Sequence, residues 1–243
     1  MTECPRAIVV AVDFGDASGR AVAAGGAIAE RCGATLRLLH AETFEAPAYF
    51  TSEQLDALRA DQAEGRQRAE QAVLEFGRRH TSYPFVVLVE DRPAVEAILH
   101  AAVDADLVVM GTHGRRGPSR WWLGSVAERV LRETPAPLLI EHASTTVSPA
   151  EEFRLVVVHA AAPLSGERTL AYVSAIARRF GGEIDNQRGA PADEVLTRPG
   201  TLFAVACPIP RTSHWLAATG EPLVRGYSRP IVFVPESVAG ETV

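Results

Sequence analysis

The stretch Leu107-Val108-Val109-Met110-Gly111-Thr112-His113-Gly114-Arg115-Arg116-Gly117-Pro118-Ser119-Arg120-Trp121-Trp122-Leu123-Gly124-Ser125 decides the fold. Leu107 to Met110 form an apolar run of the kind that makes a buried strand, and glycines interrupt it at once. Gly111 and Gly114 allow the chain to turn and to approach a ligand with no Cβ in the way, while Gly124 and Ser125 open the next helix. A helix start presents unpaired N–H groups and the positive end of a dipole, where a phosphate is favoured. The spacing G-x2-G-x9-G-S therefore predicts a strand, a phosphate-facing turn and a helix. A Walker A loop would need a lysine after its second glycine, and a dinucleotide loop would need G-x-G-x-x-G; neither is present. All 24 basic residues are arginines. A triphosphate would thus be held by backbone N–H groups, hydroxyls and guanidinium forks such as Arg115 and Arg116.

Outward from this turn, residues 1 to 143 alternate strand and helix patterns. Ala7 to Val12 is a short apolar run closed by the turn Asp13-Phe14-Gly15-Asp16; Ala17 to Arg31 has helical composition and ends at Gly33. Thr35 to His40 gives a second strand, Glu53 to Arg79 a long charged helix, and Phe85 to Val89 a third strand. A helix from Pro93 to Val103, the strand Asp106 to Met110, a helix from Val126 to Arg132 and the strand Pro137 to Glu141 complete the order. Apolar strands joined by helices predict an α/β fold: an open parallel five-stranded sheet with helices on both faces, Rossmann-like, with ligands at the strand carboxyl ends near a topological switch point.

The remainder reads as a truncated second copy. Leu155 to Val158 repeats the first strand, and Ser165 to Phe180 repeats the first helix, ending at Gly181-Gly182. At a constant offset Trp122-Leu123 meets Trp215-Leu216, Glu128 meets Glu221 and Pro137 meets Pro230, before the last strand Ile231 to Val234. Between Gly182 and Pro191 there is no room for a copy of residues 41 to 80, so one strand and the long helix are expected to be missing. Gly-Thr-His-Gly is replaced by Ala206-Cys207-Pro208-Ile209-Pro210-Arg211, Gly124-Ser125 by Ala217-Ala218, and Asp13 has no acidic counterpart near Ala160 or Ala161. Prolines have no N–H to offer a phosphate. The expected domains are residues 1–145, with an intact nucleotide-binding motif, and 150–238, a degenerate repeat. The strands Leu138 to Glu141 and Ile231 to Val234 are expected to pair, because each would otherwise leave an exposed sheet edge.

The G-x2-G-x9-G-S turn, continued by Ser125 to Thr134, resembles the nucleotide-binding signature of the universal stress protein family. The resemblance covers residues 5 to 143 well and 153 to 236 as a degenerate repeat. It implies that the chain binds ATP, whose phosphates could carry Mg²⁺, and that its last strand serves dimerisation, here within one chain; a further homodimer stays open. Asp13 matches the acidic residue that meets the nucleoside, and Ala41 the residue after the second strand that contacts adenine. Gly111, Thr112, His113 and Gly114 match the turn facing ribose and phosphates; Gly124, Ser125 and Val126 match the second phosphate-facing turn. Phe14 and Met110 flank these positions and complete the expected site. Gly15 stands where the family often has Ser or Thr, and Ala41 is smaller than the usual valine.

Composition narrows the alternatives. A 47% hydrophobic content supports a packed core, while a net charge of −6 argues against a nucleic-acid or anionic membrane surface. Three separated cysteines, Cys4, Cys32 and Cys207, with no C-x-x-C pair, suggest isolated reduced thiols and no zinc site. With no run of 18 apolar residues and no secretory start, a cytoplasmic location is expected. Three functions remain open: a nucleotide-responsive regulatory module in stress response with one site, an interaction protein whose site has lapsed, and a slow ATPase. The first is preferred, with no catalytic residues and no resident metal, because both glycine turns are intact in the first copy. No lysine, no Mg²⁺ carboxylate pair and no positioned base speak for turnover.

Overall fold

The computed structural model describes residues 4–43, 52–112, 124–161, 164–191, 194–195, 197–209, 224 and 229–236, over 52–61 as backbone. Its elements in chain order are β1 (Ala7–Ala11), α1 (Asp16–Cys32), β2 (Thr35–Ala41), α2 (Ser52–His80), β3 (Phe85–Glu90), α3 (Ala94–Ala102), β4 (Leu107–Gly111), α4 (Ser125–Glu133), β5 (Leu138–Glu141), β6 (Leu155–His159), α5 (Glu167–Arg179), β7 (Glu183–Asn186), β8 (Leu202–Pro208) and β9 (Ile231–Glu236). The seven strands expected from the sequence agree to within a residue or two at their ends; β7 and β8 are additional. Trp121, Trp122, Trp215, Leu216, Ala217, Ala218 and Glu221 lie outside the described residues.

All nine strands join one sheet in the order β3-β2-β1-β4-β5-β9-β8-β6-β7. Every neighbouring pair is parallel except β5 and β9, where Leu138, Leu139 and Ile140 oppose Phe233, Val232 and Ile231 antiparallel. The order β2-β1-β4-β5 thus returns reversed as β9-β8-β6-β7, with β6, β7, β8 and β9 standing for β1, β2, β4 and β5. No described strand stands for β3, and no described helix for α2. In each set the strand order reverses direction between the first and fourth strand types, between β1 and β4 and again between β6 and β8. Val108 sits beside Leu138 in β5, and its equivalent beside Ile231 in β9 is Phe203. The fourth strands therefore correspond two residues later than the pairs at the fixed offset, which sets Cys207 against Thr112, as the replacement of Gly-Thr-His-Gly by Ala206 onward has it.

Period-two alternation splits the core between the faces of the sheet. Ile8, Val10, Leu36, Leu38 and Val109 share one face with Val156, Val158, Leu202 and Val232, and the helices α1, α2 and α5 cover it. Val9, Leu39, Val108, Met110, Leu138, Phe203 and Phe233 point the other way, with α3 and α4 over the first five strands. Each such side chain contributes about 1.5–3 kcal/mol when fully buried. Helix α1 lies close on the sheet because glycine permits it: a Cβ on Gly25 would stand 2.6 Å from Val10 Cγ2. The helix stops at Gly33, whose φ of 69° is a left-handed conformation suited to glycine. Among the described residues no helix is long and apolar enough to cross a membrane.

The helices α1 and α5 meet across the junction of the two strand sets. Arg31 donates to the Arg179 carbonyl at 3.1 Å and lies over the Phe180 ring at 4.9 Å. Farther up the seam, Arg20 of α1 reaches two fully buried carboxylates that are remote in sequence: Glu141 at 3.5 Å and Glu152 at 3.0 Å. Arg20 also donates to the Val147 carbonyl at 2.7 Å. One guanidinium cannot neutralise two carboxylates, and burial pushes the Glu141 carboxyl up to about 7, against the pull of Arg20. Glu152 is raised as well, by burial first and by the Glu141 charge second. The pair therefore holds on to a proton that an unfolded chain would release. For a raised carboxyl, the stability gained is full below the unfolded value of 4.5 and is lost as pH rises through about 7. Glu141→Gln, which mimics the protonated state, is expected to flatten the fall in urea midpoint between those two values. A wild-type slope persisting in that variant would remove the cluster from the pH response.

Candidate functional site

The carboxyl ends of β1, β2 and β4 open into a cleft of about 850 Å³ on the α3 and α4 side, at the switch point between β1 and β4. Nine of the sequence-selected residues line it: Asp13, Phe14, Ala41, Met110, Gly111, Thr112, Gly124, Ser125 and Val126. The other four, His113, Gly114, Arg115 and Arg116, lie outside the described residues.

Each wall has a local cause. After β1 the chain turns sharply: Asp13 Oδ1 accepts the Gly15 N–H at 2.9 Å, and the Asp13 N–H donates to Ser18 Oγ at 3.2 Å. Asp13 is thus a turn former and a cleft residue at once. Phe14 takes up the turn with φ at 65°, a costly conformation for a bulky residue, and its ring packs on His40 at 4.7 Å and on Phe76 at 5.5 Å. His40 in turn meets the Val12 carbonyl through Nδ1 at 2.8 Å, which fixes the imidazole at the cleft wall. On the opposite side, the Thr112 N–H donates to the Glu141 carbonyl at 2.9 Å and the Thr112 carbonyl accepts the Gly124 N–H at 2.8 Å. These two bonds tie the end of β4 to the start of α4. Gly124 is the N-cap of α4 and offers no side-chain cap, and Ser125 and Val126 of the first turn line the cleft.

The structure corrects the reason for one glycine. Gly111 lines the cleft, but its missing Cβ faces α1: a Cβ there would stand 2.7 Å from Ala17 Cβ and 2.9 Å from the Ala17 carbonyl carbon. Its smallness lets the first turn of α1 pack on β4. Sequence reading also passed over His40, Glu42, Ala94 and Ile98, which line the same cleft. His40 and Glu42 flank the selected Ala41, and their position at the carboxyl end of a parallel strand was the available signal.

The equivalent place in the second strand set is built differently. His159 ends β6 where Ala11 ends β1 and is buried. Burial lowers its affinity for a proton, against the pull of a backbone hydrogen bond with Gln187. The start of α5, the counterpart of α1, is capped from within: Glu236 accepts the N–H groups of Gly166 at 2.9 Å and Thr169 at 2.7 Å, and the Thr169 hydroxyl at 2.8 Å. A carboxylate of the chain itself occupies that helix end.

Fold and cleft together define a doubly wound α/β protein with a glycine-marked helix start at its switch point. The family model of the universal stress protein family matches residues 5–142, and the chain belongs to that family. A universal stress protein from Thermus aquaticus, encoded in the QAH/OAS sulfhydrylase 3′ region, is 38% identical over 141 residues, which cover 56% of this chain and 97% of the relative. Over the whole length the chain resembles the crystal structure of a universal stress protein from Archaeoglobus fulgidus, with a TM-score of 0.66, 16% identity and 97% of both chains covered. A protein of unknown function from Pseudomonas aeruginosa PAO1 matches with a TM-score of 0.58 and 15% identity, covering 96% of this chain and 94% of its own. The likeness at that identity is one of fold, and it extends through the second strand set.

Proposed function

We propose that this protein is a nucleotide-responsive regulatory module that holds one adenine nucleotide, ATP in the first instance, in the cleft of residues 1–145. The observation that carries the reading is the convergence on one cleft of Asp13, Ala41, Thr112 and the uncapped start of α4, residues more than a hundred positions apart. A volume of about 850 Å³ falls within the range of small-molecule and cofactor sites. In this reading Ala41 and the apolar wall of Met110 and Ile98 take the base, Asp13 a ribose hydroxyl, and the N–H groups of Ser125 and Val126 the phosphates. Arg115 and Arg116 supply the positive charge that the described lining, with Asp13 and Glu42, lacks. Among the described residues no group of three or more His, Cys, Asp or Glu gathers to hold a metal, so Mg²⁺ would come bound to the phosphates. The proposed role is binding without turnover: His40, an imidazole at the cleft wall, is engaged with the Val12 carbonyl.

Residues 150–238 act, in the same reading, as a built-in pseudo-dimer partner without a nucleotide. His159 in place of Ala11 and the replacement of Asp13 by Ala161 support this. With β5 already paired to β9, association of two chains through that edge has no free strand to use.

Asp13→Ala tests the nucleoside contact. Loss of a hydrogen bond to a charged partner is expected to weaken adenosine, AMP and ATP alike by about 1.5–3 kcal/mol. A loss confined to ATP, measured by equilibrium dialysis of all three, would place Asp13 at the phosphates instead. Nucleotide recovered from the purified, denatured protein identifies the natural ligand.

A further inference from the structure

The cysteines that the sequence presents as isolated are not all so, because the fold brings two of them together. Strands β1 and β2 run parallel with Ala7 beside Thr35, and the Thr35 N–H donates to the Arg6 carbonyl at 2.8 Å. Cys4 lies just ahead of β1 and Cys32, the last residue of α1, just ahead of β2, so the two sit at the same end of the paired strands. Their thiols are hydrogen-bonded to one another, and both are half-buried rather than sealed. The Cys4 thiol also donates across the seam to the Ala175 carbonyl of α5, at 3.3 Å. Cys207, by contrast, is fully buried in β8.

Cys4 has a route to solvent. It lines a second cleft, of about 350 Å³, beneath the amino ends of the strands, where α5 meets the first strand set. Arg6 and Arg168 line the same cleft. The one carboxylate among its lining residues, Asp106, is engaged through Oδ2 by the N–H groups of Arg6 and Ala7 at 2.8 and 3.0 Å. Two guanidinium residues beside an accessible thiol suit a small disulfide that carries carboxylates.

We propose that Cys4 and Cys32 are a dithiol that a small anionic disulfide of the glutathione class oxidises, through this cleft, to an intramolecular disulfide. Cys4, as thiolate, attacks one sulfur of the small disulfide; its S–S bond breaks, and one thiolate leaves and takes up a proton. Cys32 then releases its proton to solvent and attacks the Cys4 sulfur of the mixed disulfide, expelling the second small thiol. Two protein thiols lose two electrons in all, and one small disulfide becomes two thiols. In the reduced pair burial first, helped by the hydrogen bond to Cys4, pushes the Cys32 thiol up to about 12, so Cys4 is the thiol that attacks first. The bridge ties the chain before β1 to the end of α1 and removes the S–H that Cys4 gives to Ala175, so the seam between the strand sets loses a bond on oxidation.

The test is intact-mass and peptide analysis of the full reduced chain after incubation with oxidised glutathione. Expected is a product two hydrogens lighter, with the Cys4 and Cys32 peptides joined and Cys207 still open to alkylation once denatured. Cys32→Ser should stop with one glutathione on Cys4, and Cys4→Ser should take up glutathione at least tenfold more slowly. A wild-type chain that keeps glutathione on Cys4 without forming the bridge, reacts at Cys207, or does not react would overturn the proposal.

Discussion

Gly111→Val is expected to damage stability and nucleotide binding together. The new Cβ would meet Ala17 Cβ at 2.7 Å, the Ala17 carbonyl carbon at 2.9 Å and the Ser18 nitrogen at 3.1 Å, and two of those atoms are main chain that cannot swing aside. Overpacking of this kind costs about 1–3 kcal/mol or more. The strain falls on the first turn of α1, next to the Asp13 turn, so ATP affinity should fall by at least a hundredfold in the fraction that folds. Gly124→Val separates the two effects. Gly124 has φ −63° and ψ 150°, which any residue adopts, so the melting temperature should hold while the phosphates lose room beside the α4 start. Isothermal titration and thermal melts of both variants check this; unchanged ATP affinity in both would remove the β4–α4 turn from the site.

Arg20→Met is expected to be the most destabilising single change on the seam, by about 3–5 kcal/mol near neutral pH. It strips the counter-charge from Glu141 and Glu152, both fully buried, and frees the Val147 carbonyl. The sign with pH follows from the raised carboxyls: without Arg20 they bind protons more tightly, so the loss should shrink in acid and grow as pH rises. Adding Glu141→Gln and Glu152→Gln to Arg20→Met should recover most of the stability, since no buried charge would then be left. Urea denaturation of the single and triple variants across pH gives the comparison. A single variant as stable as wild type at pH 7 would show that the cluster contributes nothing net.

The sequence disclosed those parts of the molecule that depend on local chemistry. Apolar runs such as Leu107 to Met110, stops such as Gly33 and the glycine-marked turn before Ser125 each announce themselves within a few residues. The cleft was legible for the same reason, since its walls sit at the carboxyl ends of strands that could be counted. What stayed hidden depends on long-range approach. Nothing local marks Glu141, Glu152 and Arg20 as a cluster, since they meet only where α1 lies against the chain between β5 and β6. Cys4 and Cys32 look unrelated until the parallel register of β1 and β2 is known. Strand β7, Glu-Ile-Asp-Asn, has no apolar run to mark it, because it is a short polar edge of the sheet that blunts further pairing. Gly111 was selected for the ligand, whereas the helix behind it explains the missing side chain.

Calorimetric titration of the full chain with ATP decides whether this cleft is a nucleotide site. One nucleotide per chain is expected, bound in the cleft of residues 1–145 and lost in Gly124→Val. Two nucleotides per chain would mean that the second strand set keeps a working site despite His159 and Ala161, and no binding of ATP, ADP or AMP would mean that the cleft serves another purpose.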